Sequence, residues 1–351
     1  MKIHLLRSIL AGLLLAALGN WGMTAPEEPV PRLREQTVLK RDRGPVVGLA
    51  FRADGKTLLS AYGSDGTIWL WDVASGKNTA IFRHVPEGRH GNILGMALSP
   101  DDKIVASCGS DKTIKLWDTA SGKNIATFTS DREPCGIVFG PDGKTLSAIE
   151  KDALRVWDVA KRKELRYFGK MPFTPQSVTV SRRTKRPLLA VPTGKSFTLI
   201  DAVTGESILA CTGHRSDLRF TCCFALDPEE TMVASAGYDL TVRLWDRTSG
   251  DERATFEHPL AMNRCLAFSP DRKILISGFL SNHLKTGKFG TDGGFQLYEV
   301  PSGKVLTTLQ DHFGITSLAF SPDGQLLATG CNDGFIKLWT IPDAWRKKGK
   351  K

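Results

Sequence analysis

The sequence predicts an all-β chain folded as a seven-bladed β-propeller, and three observations carry that prediction. Aromatic–acid pairs recur at near-constant intervals: Trp71-Asp72, Trp117-Asp118, Trp157-Asp158 and Trp245-Asp246, with the weaker forms Ile200-Asp201, Tyr298-Glu299 and Trp339-Thr340 completing the series. Their spacings are 46, 40, 43, 45, 53 and 41 residues, the period of a four-stranded blade and not of two ordinary domains. Around each pair, short runs rich in Val, Ile, Leu, Thr and aromatics alternate with Asp-Gly, Pro-Asp and Ser-Gly turns, the pattern of successive antiparallel hairpins. Finally, 41% hydrophobic and 24% charged residues allow a sizeable core and exclude a disordered polymer. A small sheet of this kind has faces it cannot cover alone, and radial stacking on two neighbours buries both.

Taken in order, the chain opens with Lys2 and Arg7 flanking a charged start, then an apolar run, Ser8–Leu18, and a small-residue exit near Ala25. Residues 1–25 are therefore read as a secretory signal peptide, the run being short of the about 20 apolar residues of a bilayer span. Retention of this segment as a membrane anchor is the alternative. The Pro-rich stretch 26–36 reads as an extended linker, 37–340 as the propeller, and 341–351 as a basic tail. The seventh repeat stops after FIKLWT without an outer strand, while an orphan strand, Thr37–Leu39, precedes the first repeat. The N-terminal strand is thus expected to complete the last blade and leave no long open edge, giving a monomeric ring.

These repeats closely resemble the WD40 repeat family over about Thr37 to Thr340. The resemblance implies a set of side chains that locks each blade: a His before the first strand, Ser or Thr on the second, Asp in the next turn and Trp on the third. The matching positions are His90, Ser107, Asp111 and Trp117 in the second repeat, and His214, Ser235, Asp239 and Trp245 in the fifth. The seventh offers His312, Thr329, Asp333 and Trp339. A buried indole N–H and hydroxyl need acceptors and a buried carboxylate needs donors, which gives the set its physical logic. The first, third, fourth and sixth repeats depart from it, the fourth lacking both Trp and turn Asp.

Little in the chain points to chemistry. A Ser, His and Asp meet in several repeats, whereas a catalytic triad is expected once. The seven cysteines are odd in number and lie in or beside strands near apolar residues, so they read as small buried hydrophobes and not as a disulfide framework. There is no CxxC pair for zinc, no CxxCH for haem, and GKFGTDGG at 287–294 fits no phosphate loop. No catalytic residue, metal or cofactor is implied.

The departures from the repeat carry the functional reading. The 53-residue interval places its excess in Gly278–Gly294, between second and third strands, and the connection Arg83–Asn92 is also long. Both connection types emerge on one face of a propeller, where loops on a rigid scaffold bind partners. Arg83, His84, Arg89, His283, Lys285, Lys288 and Phe289 are accordingly the candidates for a partner-binding rim. On the opposite face, Lys161, Arg162 and Lys163, with Arg182, Arg183, Lys185 and Arg186 of the next repeat, form a candidate basic patch for an acidic protein, polyanion or anionic lipid. Aromatics for base stacking are scarce there, against nucleic acid. The charge of +10 is unevenly placed: residues 1–25 hold two basic groups and no acid, residues 346–351 hold five, and +3 remains for 26–345. The sequence thus describes an exported, non-catalytic scaffold that binds protein partners through its faces and rim. A ligand-binding or enzymatic channel mouth is the alternative.

Overall fold

A computed structural model describes residues 31–40, 44–85, 91–150, 153–169, 188–192, 196–201, 204–215, 223–237, 239–257, 261–283, 288–311 and 313–346. The signal segment, His90, His312 and the tail beyond Arg346 lie outside them. From Leu33 onward the chain forms one compact unit of antiparallel sheets.

The repeat period translates directly into blades. The first is Val46–Phe51, Thr57–Tyr62, Thr67–Asp72 and Asn78–Arg83; the second is Ile93–Leu98, Ile104–Gly109, Thr113–Asp118 and Asn124–Thr129. The third runs Pro134–Phe139, Thr145–Glu150, Ala153–Asp158 and Lys163–Phe168. The fourth shows three strands among the described residues, Leu188–Pro192, Ser196–Asp201 and Ser207–Thr212. The fifth is Cys223–Leu226, Met232–Ala236, Thr241–Asp246 and Glu252–Glu257; the sixth is Ala261–Phe268, Ile274–His283, Lys288–Glu299 and Val305–Asp311. In each complete blade strand order in space follows strand order in sequence.

The seventh blade is built from both ends of the chain. Ile315–Phe320, Leu326–Cys331 and Ile336–Thr340 are completed by Arg34–Leu39, which pairs antiparallel with the last strand from Arg34↔Thr340 to Leu39↔Ile336. The closing strand begins at Arg34, so the linker ends before the predicted residue 36. Leu39 is fully buried and joins Trp71 and Leu338 in one apolar cluster. Seven such clusters each join two neighbouring blades, and the first strands of blades 7, 1 and 2 touch in succession. The core is a ring of inter-blade seams, as expected for units that cannot bury both faces alone.

Aromatic side chains fill the seams. Phe82 on the outer strand of blade 1 stacks on Trp117 of blade 2 at 6.0 Å, Phe128 meets Trp157 at 5.8 Å, and Phe256 stacks on Tyr298 at 5.2 Å. Each places a ring from one blade against the aromatic of the next blade's aromatic–acid pair, worth about 0.5–1.5 kcal/mol beyond area burial.

Candidate interaction surfaces

The locking set is assembled from an outer strand, the following second strand and its turn. In blade 5, Trp245 Nε1 donates to Ser235 Oγ at 2.7 Å, and His214 bridges Ser235 Oγ (2.8 Å from Nε2) and Asp239 Oδ2 (2.9 Å from Nδ1). Burial pushes the Asp239 carboxyl up, but hydrogen bonds from His214, the Arg215 N–H and Thr241 outweigh it and hold it far below the usual carboxylate range.

In blade 2 the imidazole is supplied by His84. Its Nδ1 lies 2.7 Å from Ser107 Oγ and its Nε2 3.2 Å from Asp111 Oδ1, while Trp117 Nε1 donates to the same serine at 2.9 Å. His84 was expected on the partner-binding rim; it is 0% exposed and belongs to the lock instead. The position assigned to His90 is filled by His84 because His84 directly follows the outer strand ending at Arg83, which aims it into the seam. Gly109 makes room for it: a Cβ there would sit 2.6 Å from His84 Nε2. Burial drives the His84 pKa below its ordinary value, against the pull of Asp111. Because the serine oxygen accepts the tryptophan N–H in both blades, its own proton donates to the imidazole, and the other ring nitrogen donates to the carboxylate. The ring nitrogen that donates to the carboxylate is Nε2 in His84 and Nδ1 in His214. Both serines are sealed from solvent with the oxygen already engaged, so the recurring Ser–His–Asp sets act as structural ties.

Other blades use parts of the set. Trp339 Nε1 donates to Thr329 Oγ1 at 3.0 Å and Asp333 Oδ1 accepts the Phe335 N–H, and Trp71 Nε1 donates to Ser60 Oγ at 2.8 Å. In blade 6, Ser277 turns to Asn263, and Tyr298, standing where the Trp would be, donates to Gln296 Oε1. Blade 3 has a replacement that sequence reading missed. Glu150 takes the place of Gly109, Ser130 that of His84 and Ala148 that of Ser107. The Glu150 carboxylate is 0% exposed, accepts from Arg155 Nε at 2.6 Å and takes a short hydrogen bond from Ser130. Arg155 also pairs with Asp131 and Glu164 and lies 4.5 Å over the Tyr167 ring. The signal was present: a Glu at a strand end where the repeat elsewhere has small or apolar residues, with an Arg five residues on.

The rim itself differs from its prediction. The excess in blade 6 is not a loop: its second and third strands extend to 10 and 12 residues and pair as far as Asn282↔Phe289 and His283↔Lys288. The neighbouring strands lengthen to 8 and 7 residues, against 6 in the regular blades, so blade 6 projects beyond the ring as a β-ribbon. Gly293 and Gly294 permit this, since a Cβ at either would fall about 2 Å from backbone atoms of Gly314, Phe279 or Leu309. His283, Lys288 and Phe289 are ribbon positions; Lys285 and Arg89 lie outside the described residues, and Arg83 is exposed at the end of its strand.

On the opposite face Lys161 and Arg162, in the turn between third and outer strands of blade 3, and Lys163, the first residue of that outer strand, are exposed. Arg182, Arg183, Lys185 and Arg186 lie outside the described residues. Six described cysteines are free thiols, and burial pushes Cys211 and Cys223 up to about 12. Among the described residues no three His, Cys, Asp or Glu side chains converge as a metal site.

Comparison with known proteins matches the same units. The family model described as "WD domain, G-beta repeat" matches residues 34–72, 82–118, 205–246 and 303–340, each running from an outer strand to the next blade's third strand. The chain is similar to Target of rapamycin complex subunit wat1 of Schizosaccharomyces pombe, 32% identical over 31% of this chain and 32% of that protein. It is similar to Pre-mRNA-processing factor 19 homolog 2 of Arabidopsis thaliana (29%, covering 41% and 26%) and to Small ribosomal subunit protein RACK1 of Candida albicans (28%, covering 41% and 42%). The chain thus spans well under half the length of these relatives. The four family matches and the seven observed blades agree: the chain carries WD40 repeats at these four places and folds as a seven-bladed β-propeller.

Proposed function

We propose that this protein is an exported, non-catalytic scaffold that binds protein partners through one rim of the propeller. The observation that carries the reading is the blade 6 ribbon, two paired strands raised above a ring of otherwise uniform blades. A rigid ring presenting a fixed projection loses little conformational entropy on binding. Two relatives bear names as parts of larger assemblies, a complex subunit and a ribosomal subunit protein, which supports an interaction role. The sealed serines of the locking sets support a non-catalytic reading, and residues 1–25 support export.

Replacing 281–292 by a two-residue turn, and separately changing Lys285 and Lys288 to Glu, tests the rim by quantitative affinity capture from the exported fraction. Loss of the captured partners in both variants, with the melting temperature kept, is the expected result; full retention removes the rim from the reading. Mass spectrometry of the mature N-terminus separates cleavage near Ala25 from a retained membrane anchor.

A further inference from the structure

Five blades end their third-to-outer turn with a glycine of positive φ: Gly76, Gly122, Gly205, Gly250 and Gly303. Each is pressed against the preceding blade's outer strand. A Cβ on Gly122 would lie 2.9 Å from the Phe82 ring, on Gly205 2.5 Å from Phe168, and on Gly303 2.3 Å from Phe256. Blade 3 places Arg162 at this position, in the same left-handed conformation with φ 54°. A Cβ does not fit the closest of these approaches, and at Arg162 the turn borders an opening instead. Between the two blades lies a cavity of about 320 Å³ lined by apolar Ile104, Leu116, Ile125 and Val159, with exposed Lys144 and Arg162 on its cationic side. Its walls are fixed by a backbone hydrogen bond from Val159 N to Lys144 O.

The surroundings of this opening are basic. Lys161 and Lys163 flank Arg162, and all three are exposed. Two carboxylates lie nearby: Asp158 Oδ1 accepts the Lys161 N–H while its Oδ2 stands 3.8 Å from the Lys161 ammonium, and Asp142 Oδ1 accepts the Lys144 N–H, which leaves the side chains of Lys144, Arg162 and Lys163 in excess. Its volume is at the small end of the about 300–1,000 Å³ of ligand pockets, room for one or two apolar side chains and not for a long chain. A buried apolar anchor inside a polar rim is the arrangement that concentrates binding energy in protein interfaces.

We propose that this cavity seats one aliphatic or aromatic side chain of an acidic peptide segment from a protein partner. Carboxylates on either side of that anchor pair with Lys144, Lys161, Arg162 and Lys163. The proposal rests on the scaffold reading and adds to it a second site, on the face opposite the ribbon.

The test uses the full-length purified protein and fluorescein-labelled peptides, Glu-Glu-Leu-Glu-Glu against versions with central Ala or with Gln for Glu, read by anisotropy. Binding of the first peptide, weakened about tenfold by either change, is expected. Arg162→Gly restores the repeat and closes the cavity without threatening the fold, and abolishes binding. Lys161→Glu with Lys163→Glu leaves the cavity open and weakens binding about tenfold through charge alone. Absence of binding at about 1 mM peptide, or binding unchanged in Arg162→Gly, overturns the proposal. Binding only to phosphatidylcholine vesicles with roughly a quarter phosphatidylserine overturns it in favour of a membrane surface. In affinity capture, partners lost by Arg162→Gly and kept by the ribbon variants support the cavity, whereas capture of no partner by the wild type counts against the scaffold reading.

Discussion

Blades 2 and 3 are neighbours built on one repeat, yet they solve the same burial problem with different chemistry. Blade 2 uses His84, Ser107, Asp111 and Trp117, all neutral at the contact except one carboxylate. Blade 3 replaces the imidazole by Ser130 and fills the space with the Glu150–Arg155 pair. The exchange is concerted, because the room His84 needs exists only beside Gly109, and a glutamate at that position excludes it. The difference teaches that the unit of substitution is the whole contact set. Of these two blades, the one that departs from the set is also the one whose turn has Arg162 in place of glycine.

The comparison breaks most sharply if the charged set is split. Arg155→Ala leaves the Glu150 carboxylate buried without its cation, and should lower unfolding stability by about 3–5 kcal/mol in urea titrations. A loss below 1 kcal/mol would show that Glu150 is not held by that pair. Next comes the neutral set: Ser107→Ala strands the Trp117 N–H and an imidazole nitrogen and should cost about 1–3 kcal/mol, whereas Ala148→Ser in blade 3 gains nothing comparable without its histidine. The turns sharpen the contrast in sign. Gly122→Arg forces a side chain into Phe82, but Arg162→Gly relieves a left-handed non-glycine residue and should stabilise by about 1 kcal/mol, read as a higher melting temperature.

The smallest effect is a pH dependence belonging to blade 2. His84 has its pKa lowered in the folded state, so the unfolded chain binds more protons at mildly acid pH. Its contribution is present in full above the unfolded value of about 6.5 and is lost as pH falls through the lower folded value. The melting temperature should fall between about pH 7 and 5, with a shallower slope in His84→Gln; identical slopes would remove His84 from this dependence.

How much could be read beforehand follows from the same contrast. The blades, their number and the closing strand were legible because burial imposes the same apolar period on every repeat. Trp117, Ser107, Trp245 and Ser235 were legible as members of a set because the set recurs. His84 was not separable from His90, since both lie in one connection and only the strand end at Arg83 decides which enters the seam. The ribbon of blade 6 was hidden by Gly, Asn and Thr, whose turn preference is overridden where Gly293 and Gly294 let strands pass close to Gly314. Glu150 occurs once in the series, and only its register places it in the seam.

The closing strand sets the order of events in folding. Arg34 pairs with Thr340, so the first strand made waits for the last. At about 5–20 residues per second, synthesis of the roughly 300 intervening residues leaves Arg34–Leu39 without its blade 7 partner for some tens of seconds. Throughout that interval the growing chain is an open arc with a sticky end at each side. The final contact then spans nearly the whole sequence, which makes ring closure a non-local and therefore slow step.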